Sequence, residues 1–403
     1  MHKDLLVLRD EMVNELSQNI LSFWLNAVDD KRGGFYGRID GNGVLHPEAD
    51  KGAVLNARML WTFSAAYRVL GRPEYLDAAT RAMDYILDKF WDKENGGVYW
   101  TVDCNGNPKD TKKQIYAQGF VIYGLSEYAR ATGSQRALDK AKELFYIIEK
   151  YAFDKELNGY FEAFTADWHE IEDMRLSAKD ANEKKTMNTH LHILEPYANL
   201  YRVWKDEQLE QQLRNLISIF ATQITNSETA HFDLFFDEYW NKKGNFVSYG
   251  HDIEGSWLIH EAALVLGDEA LVESISPLVK RIAEASTQGL QSDGSMIYET
   301  NLDANHTDTD RHWWVQAETV VGFFSLFEHF GSELGLQRAV GCWEFIKKNL
   351  IADGGEWYWS VAADGSKNTT DDRAGLWKCP YHNGRMCLEL AERIAHLASP
   401  TAR

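Results

Sequence analysis

Apolar positions recur with a helical period over most of the chain, in long stretches that come in pairs. In the first pair, 52–71 is apolar on nearly every side, with Val54, Leu55, Ala57, Met59, Leu60, Trp61 and Phe63. Its partner, 74–91, keeps Tyr75, Leu76, Ala79, Met83, Ile86, Leu87 and Phe90 on one face. Gly71 stops the first helix and Pro73 starts the second. The same pairing predicts helices over 113–132 and 134–152, 187–203 and 206–224, 251–267 and 269–288, and 312–331 and 334–349. Helices over 3–26 and 380–398 bring the number to twelve. A helix that is apolar all round belongs inside, and an amphipathic one belongs on a surface. Alternate helices are therefore expected to form an inner and an outer set.

The connections repeat as well. Asp30-Lys31-Arg32-Gly33-Gly34-Phe35-Tyr36 returns as Asp92-Lys93-Glu94-Asn95-Gly96-Gly97-Val98-Tyr99 and as Asp154-Lys155-Glu156-Leu157-Asn158-Gly159-Tyr160-Phe161, at intervals of 62 residues. Weaker copies begin near His231, Asp293 and Asp353, making six in all. Each is a turn followed by β-prone residues, with hairpin signals at Asn105-Gly106 and Asp364-Gly365. Six helical hairpins can stack as an open solenoid or close into a double ring. The copy number and the lack of polar capping repeats favour closure. The expected fold is all-α: an (α/α)6 barrel of six helical hairpins with short β-hairpins at one end, residues 1–403 forming one catalytic domain. In such a ring every inner helix begins at the same mouth, so that mouth is where function is expected.

Composition narrows the partners. The chain has 403 residues, with 42 basic against 61 acidic side chains and a formal charge of -19, which disfavours nucleic acid or an anionic membrane. No run approaches a membrane span, and the charged N-terminus does not read as a secretory signal. Cys104, Cys342, Cys379 and Cys387 show no paired spacing and are read as free thiols of a cytoplasmic protein. The 14 tryptophans exceed what packing alone needs, and indole faces are suited to holding sugar rings.

Four of the six inner helices open with histidine. Their first turns supply Arg58; Tyr116 and Gln118; Asn188, His190 and His192; His251, Asp252 and Glu254; His312, Trp313, Trp314 and Gln316; and Tyr381, His382 and Asn383, just after Trp377. Asn188, His192 and Glu195 share one helical stripe, whereas His190 and His312 are read as structural. His251 and Glu254, three residues apart, could pair so that the carboxylate orients the imidazole. Arg58 is a cation in an apolar helix and needs a compensating oxygen. No second histidine follows His260-Glu261 at zinc-binding spacing, so no metal is expected. Phosphate loops and nucleophile elbows are absent too. Histidines on facing helices suit proton transfer at a carbon acid near neutral pH, such as the carbon beside an opened sugar's aldehyde. A glycoside hydrolase would need a pair of facing carboxylates, and none is as clear as the histidines.

Asn188-Thr189-His190-Leu191-His192-Ile193-Leu194-Glu195-Pro196-Tyr197, Tyr249-Gly250-His251-Asp252-Ile253-Glu254, Arg311-His312-Trp313-Trp314-Val315-Gln316-Ala317-Glu318 and Trp377-Lys378-Cys379-Pro380-Tyr381-His382-Asn383 resemble the N-acylglucosamine 2-epimerase superfamily, most closely its cellobiose 2-epimerase branch. The resemblance implies an (α/α)6 barrel that converts the reducing-end glucose of β-1,4 disaccharides to mannose, without a cofactor. It implies His251 and His382 as general acid/base residues and His192 as a third catalytic histidine. Arg58, Tyr116, Asn188 and Glu254 would line the pocket, Trp313, Trp314 and Trp377 would wall the sugar, and Asp180 would be a further contact. The polar segment 166–186 is either a lid over the mouth or a solvated linker. A sugar-processing monomer is expected; N-acylglucosamine epimerisation and aldose–ketose isomerisation remain open as alternatives.

Overall fold

Gly71, Gly133, Gly267 and Gly331 each end an inner helix in the left-handed conformation, and Ser134, Asp206, Asp268 and Ser332 each cap the outer helix that follows. The structure is a computed structural model that describes residues 2–398. Among these, helices alternate between outer and inner positions. They are α1 (His2–Asn14, continued by a π-helical stretch Glu15–Ile20 and by Leu21–Leu25), α2 (Ala53–Leu70), α3 (Pro73–Tyr85, running into π-helical Ile86–Phe90) and α4 (Ile115–Thr132). Next come α5 (Gln135–Tyr151), α6 (Met187–Val203), α7 (Glu207–Ile219, running into π-helical Phe220–Ile224) and α8 (Tyr249–Leu266). The last are α9 (Glu269–Ser286), α10 (Trp313–Phe330), α11 (Glu333–Asn349) and α12 (Tyr381–Ala398). The expected helices are all present; the π-helical stretches, inside α1 and at the ends of α3 and α7, had no counterpart in the sequence reading.

The even-numbered helices close a ring, each packing on the next and α12 returning to α2. The odd-numbered ones cover them, and α1 lies on α12 across the seam. The expected (α/α)6 architecture is therefore what the chain adopts, and the open solenoid is not. Three indole N–H groups stitch the seam: Trp24 donates to Glu356 at 2.5 Å, Trp357 to Glu15 at 2.7 Å and Trp343 to Glu11 at 2.6 Å. These charge-assisted bonds place the glutamates of α1 against the last repeat.

Short strands ring the mouth: the expected hairpins form, Thr101–Val102 pairing with Pro108–Asp110 across Asn105-Gly106 and Val361 bridging to Lys367 across Asp364-Gly365, and further strands pair between repeats. Lys51–Gly52 pairs antiparallel with Thr101–Val102, Lys113–Gln114 with Ala163–Phe164, Lys185–Thr186 with Phe235–Phe236, and Arg311–His312 with Ser360–Val361. Phe246–Ser248 pairs with Glu299–Asn301, which itself forms a hairpin with His306–Asp308. Each turn is thereby laced to the start of an inner helix.

Two side-chain devices fix that lacing. The lysine two residues before α2, α4 and α6 is fully buried and reaches the first aspartate of the preceding turn: Lys51 to Asp29 at 2.9 Å, Lys113 to Asp92 at 2.7 Å and Lys185 to Asp154 at 2.8 Å. The fourth residue of an inner helix then clamps a backbone N–H in the preceding turn. Gln118 accepts from Val98, His190 from Tyr160, Asp252 from Phe232 and Gln316 from Met296, at 2.8–2.9 Å. Gln118, Asp252 and Gln316, expected at the mouth, satisfy buried turns instead, and His190 does the same in keeping with its structural reading. The cysteines are free and buried, and among the described residues no helix is long and apolar enough to cross a membrane.

Candidate active site

The second and sixth residues of an inner helix lie one above the other on one face. They are Tyr116 and Phe120 on α4, Asn188 and His192 on α6, Trp314 and Glu318 on α10, with Arg58 sixth on α2, Glu254 sixth on α8 and His382 second on α12. On α8 the second position is Gly250, where a Cβ would lie 2.7 Å from the Trp314 ring. The missing side chain lets Trp314 lie against two histidines, its ring 4.7 Å from His251 and 5.6 Å from His382.

The three histidines singled out from sequence come together here, and each is anchored through Nδ1. His382 Nδ1 lies 2.7 Å from Glu318 Oε1, His192 Nδ1 3.0 Å from Glu195 Oε2, and His251 Nδ1 2.8 Å from Ser248 Oγ. Nε2 is left as the working nitrogen of each. A carboxylate on Nδ1 fixes the tautomer in which Nε2 carries the lone pair. Burial, reinforced by the neighbouring His192, pushes the His251 pKa down to about 3. Burial, then Arg58 and Arg385, holds His382 well below its ordinary value, and burial lowers His192 against the pull of Glu195. All three rest as neutral imidazoles, ready to accept a proton. His190, by contrast, spends both nitrogens, on Thr186 O at 2.7 Å and Tyr160 N at 2.9 Å, and His312 stacks on Tyr298 at 4.1 Å.

The expected pairing of His251 with Glu254 does not form. Glu254 is drawn away by Arg385, whose Nη2 donates to it at 2.8 Å and to Glu318 at 2.6 Å, while Nη1 donates to Glu195 and to the Tyr381 hydroxyl. Glu254 is fully buried, its Oε1 lies 3.9 Å from His382 Nδ1, and its Oε2 has no hydrogen-bond partner. Three carboxylates thus surround one guanidinium. Burial favours the neutral form of all three; Arg385 and then His192 overcome it at Glu195, down to about 2. Glu254 and Glu318 stay above the ordinary range through burial, reinforced at Glu254 by Glu318. Glu254, Glu318 and His382 are close enough to share a metal ion, but the Arg385 guanidinium already bridges both carboxylates. Asp308, Asp310 and His312 form a second such group, among partly exposed residues.

Arg58 is buried and makes no ion pair among the described residues. Its Nη2 donates to the Tyr116 hydroxyl at 2.7 Å, its guanidinium lies 4.2 Å from the Phe120 ring and 4.6 Å from that of Tyr381, and Nε is unpartnered. A cation held by aromatic faces keeps its charge for an oxygen that develops negative charge.

A cavity of about 280 Å³ opens at the mouth, with Asn188, His251, Tyr298 and Glu299 on one side and Asp180 and Leu176 on the other. The latter two belong to the segment 166–186, which therefore walls the cavity. Gln114, buried before α4, pins it by donating to the carbonyls of Met174 at 3.2 Å and Arg175 at 2.8 Å. Asp180 accepts from the backbone of Ser177 at 2.8 Å. Trp377 is half-buried, 5.7 Å from Trp100 and 6.0 Å from Tyr116. Trp313 is almost wholly buried against Trp359 at 4.6 Å, so it backs His382 and offers the cavity no open face.

Sequence reasoning passed over Ser248, Glu318 and Arg385. The argument that singled out Arg58 applies equally to Arg385, a charge among Met386, Cys387 and Leu388, and Glu318 lies one turn below Trp314.

The chain is 61% identical to the cellobiose 2-epimerase of Bacteroides fragilis over 95% of its own length and 98% of that protein. It is 40% identical to that of Ruminococcus albus over the same shares. The solved cellobiose 2-epimerase of Bacillus thermoamylovorans superposes with a TM-score of 0.91 at 43% identity, covering 96% of this chain and 99% of that one. The family model for N-acylglucosamine 2-epimerase (GlcNAc 2-epimerase) matches residues 34–384, from the first turn to the first turn of α12. With the ring, the histidine-lined mouth and these likenesses in agreement, the chain belongs to the N-acylglucosamine 2-epimerase family.

Proposed function

We propose that this protein epimerises C2 of the reducing-end glucose of β-1,4-linked disaccharides, turning cellobiose into glucosyl-mannose and lactose into epilactose. The observation that carries the reading is the placement of neutral His251 and His382, from different inner helices, both against Trp314, each held by Nδ1 with Nε2 free. The names of the relatives supply the disaccharide. Once the sugar ring has opened, one imidazole takes the C2 proton, and the electron pair moves through C1 onto O1. Arg58 faces that oxyanion, with Tyr116 beside it. The other histidine, having first taken up a proton from water, returns it to the opposite face of the planar enediolate, and the first then releases the C2 proton to water, which restores both neutral imidazoles. His192 assists ring opening. Asn188, Asp180, Glu254, Trp314 and Trp377 hold or wall the sugar, and Trp313 backs His382. No cofactor is needed, because hemiacetal opening and closure and the change at C2 all proceed by acid–base catalysis without a net change of oxidation state.

We further propose a cytoplasmic monomer of one catalytic domain without a nucleic-acid partner, supported by four free thiols, one continuous core and a charge of -19. Incubation with cellobiose in deuterium oxide, followed by NMR, tests the reaction: glucosyl-mannose should carry deuterium at C2. Retention of the original hydrogen overturns the two-base scheme, a ketose as main product makes the protein an isomerase, and free glucose makes it a hydrolase.

A further inference from the structure

Inner helix α6 is not regular. His192 leaves helical geometry, with φ -90° and ψ 15°, and Pro196 lies four residues on, inside the same helix. That region of backbone space is sparsely populated and recurs at active sites. A regular helix would bond the N–H of residue 196 to the carbonyl of residue 192, and proline has no N–H to give. The freed carbonyl turns toward α4, where a Cβ on Gly119 would lie 2.3 Å from His192 O, closer than any side chain can approach. Gly119 is flanked on its own helix by Tyr116 and Phe120, whose rings lie 5.0 Å and 4.9 Å from that of His192. At the other end of the same turn, Glu195 takes His192 Nδ1 at 3.0 Å and is itself held by Arg385 and Tyr381.

A proline alone does not produce this kink. Outer helix α9 carries Pro277 in its interior without a comparable break. The difference lies in the neighbours: His192 has a glycine on the facing helix to receive its carbonyl and a glutamate one turn on to receive its ring.

We infer that Pro196 and Gly119 are positioning residues for His192: the proline releases its carbonyl, the glycine makes room for it, and the kink sets the imidazole on Glu195 between Tyr116 and Phe120. The inference rests on the proposed catalytic part of His192. It makes the kink a functional element that a regular, better-bonded helix would lose. Restoring the missing hydrogen bond should therefore damage catalysis without damaging the fold.

The test is Pro196→Ala, with Pro277→Ala as control and Gly119→Ala as a second route to the same carbonyl. Pro196→Ala should lower kcat on cellobiose by about 10- to 100-fold, the cost of an ångström-scale misplacement. KM should stay within about twofold, and the melting temperature should hold or rise because the regained i→i−4 hydrogen bond outweighs the added freedom of the unfolded chain. Pro277→Ala should leave kcat unchanged. NMR of the imidazole protons should show the hydrogen-bonded Nδ1–H of His192, identified by its loss in His192→Asn, moved or lost in Pro196→Ala. Wild-type kcat and an unmoved resonance in Pro196→Ala overturn the inference, as does a parallel fall in melting temperature and rise in KM. The resonance decides it even if the wild-type protein turns over some other sugar, an outcome that would overturn only the proposed substrate.

Discussion

His382 Nδ1 and Glu318 Oε1 lie 2.7 Å apart, and the same carboxylate oxygen accepts from Arg385 at 2.6 Å. The imidazole is thus anchored to an ion pair that belongs to the barrel wall. Glu318→Gln keeps the shape but loses the charge that favours Nδ1–H on His382. Steady-state kinetics should show kcat down by at least about tenfold, with KM little changed. Unchanged kcat would reduce Glu318 to a packing residue.

His251→Asn and His382→Asn should each cost about 10²–10⁴ in kcat, the usual worth of a positioned acid or base. Circular dichroism and melting should match the wild type, because neither ring supports a helix contact through Nε2. Near-normal turnover in either variant refutes the two-base assignment.

Arg58→Met preserves much of the packing against Phe120 and Tyr381 while removing the charge. Loss of an oxyanion donor of this kind is expected to lower kcat by about 10²–10³-fold. Arg58→Lys should recover little, since an ammonium cannot span Tyr116 and a substrate oxygen as a planar fork does. Rates measured on cellobiose for both variants check this.

Burial lowers the His190 pKa from its ordinary 6.5 to about 4. In that interval the unfolded chain binds the proton and the folded one does not. The stability that neutral His190 provides is therefore complete above about pH 6.5 and is lost as pH falls toward 4. His190→Gln copies Gln118 and Gln316 of other repeats and should hold Tyr160 equally well. Melting temperatures should agree near pH 7, while the variant declines less steeply between pH 6.5 and 4. Equal slopes would show that His190 does not titrate with unfolding.

Gln114→Ala frees the wall segment at Met174 and Arg175. Trypsin should then cut at Arg175 or Lys179 faster than in the wild type, and KM for cellobiose should rise several-fold, about as expected for loosening a covering loop. Unaltered proteolysis would mean that other contacts hold the segment.

The ring was legible because its signals are local. Apolar period, Gly71-Arg72-Pro73 punctuation and the recurring Asp-to-Gly-Gly turns each sit within a few residues. The histidines were legible because they open helices. What was lost depends on contacts between helices far apart in sequence. Glu254 is three residues from His251, yet Arg385, 131 positions further on, claims it, and Ser248 takes the imidazole instead. The clamp at the fourth position was within reach: aligning the repeats superposes Gln118, His190, Asp252 and Gln316 and marks them as one structural role.

The seam sets an order of events on the ribosome. α1 presents Leu5, Leu8, Met12, Leu16 and Ile20 to a partner that is not made until α12 emerges, and its glutamates wait for Trp343 and Trp357. A nascent chain carries that bare stripe through nearly its whole synthesis, so it is the surface for a chaperone to shield and for aggregation to exploit. The helix that finally covers it also brings His382 and Arg385, so completion of the ring and the onset of turnover are one step.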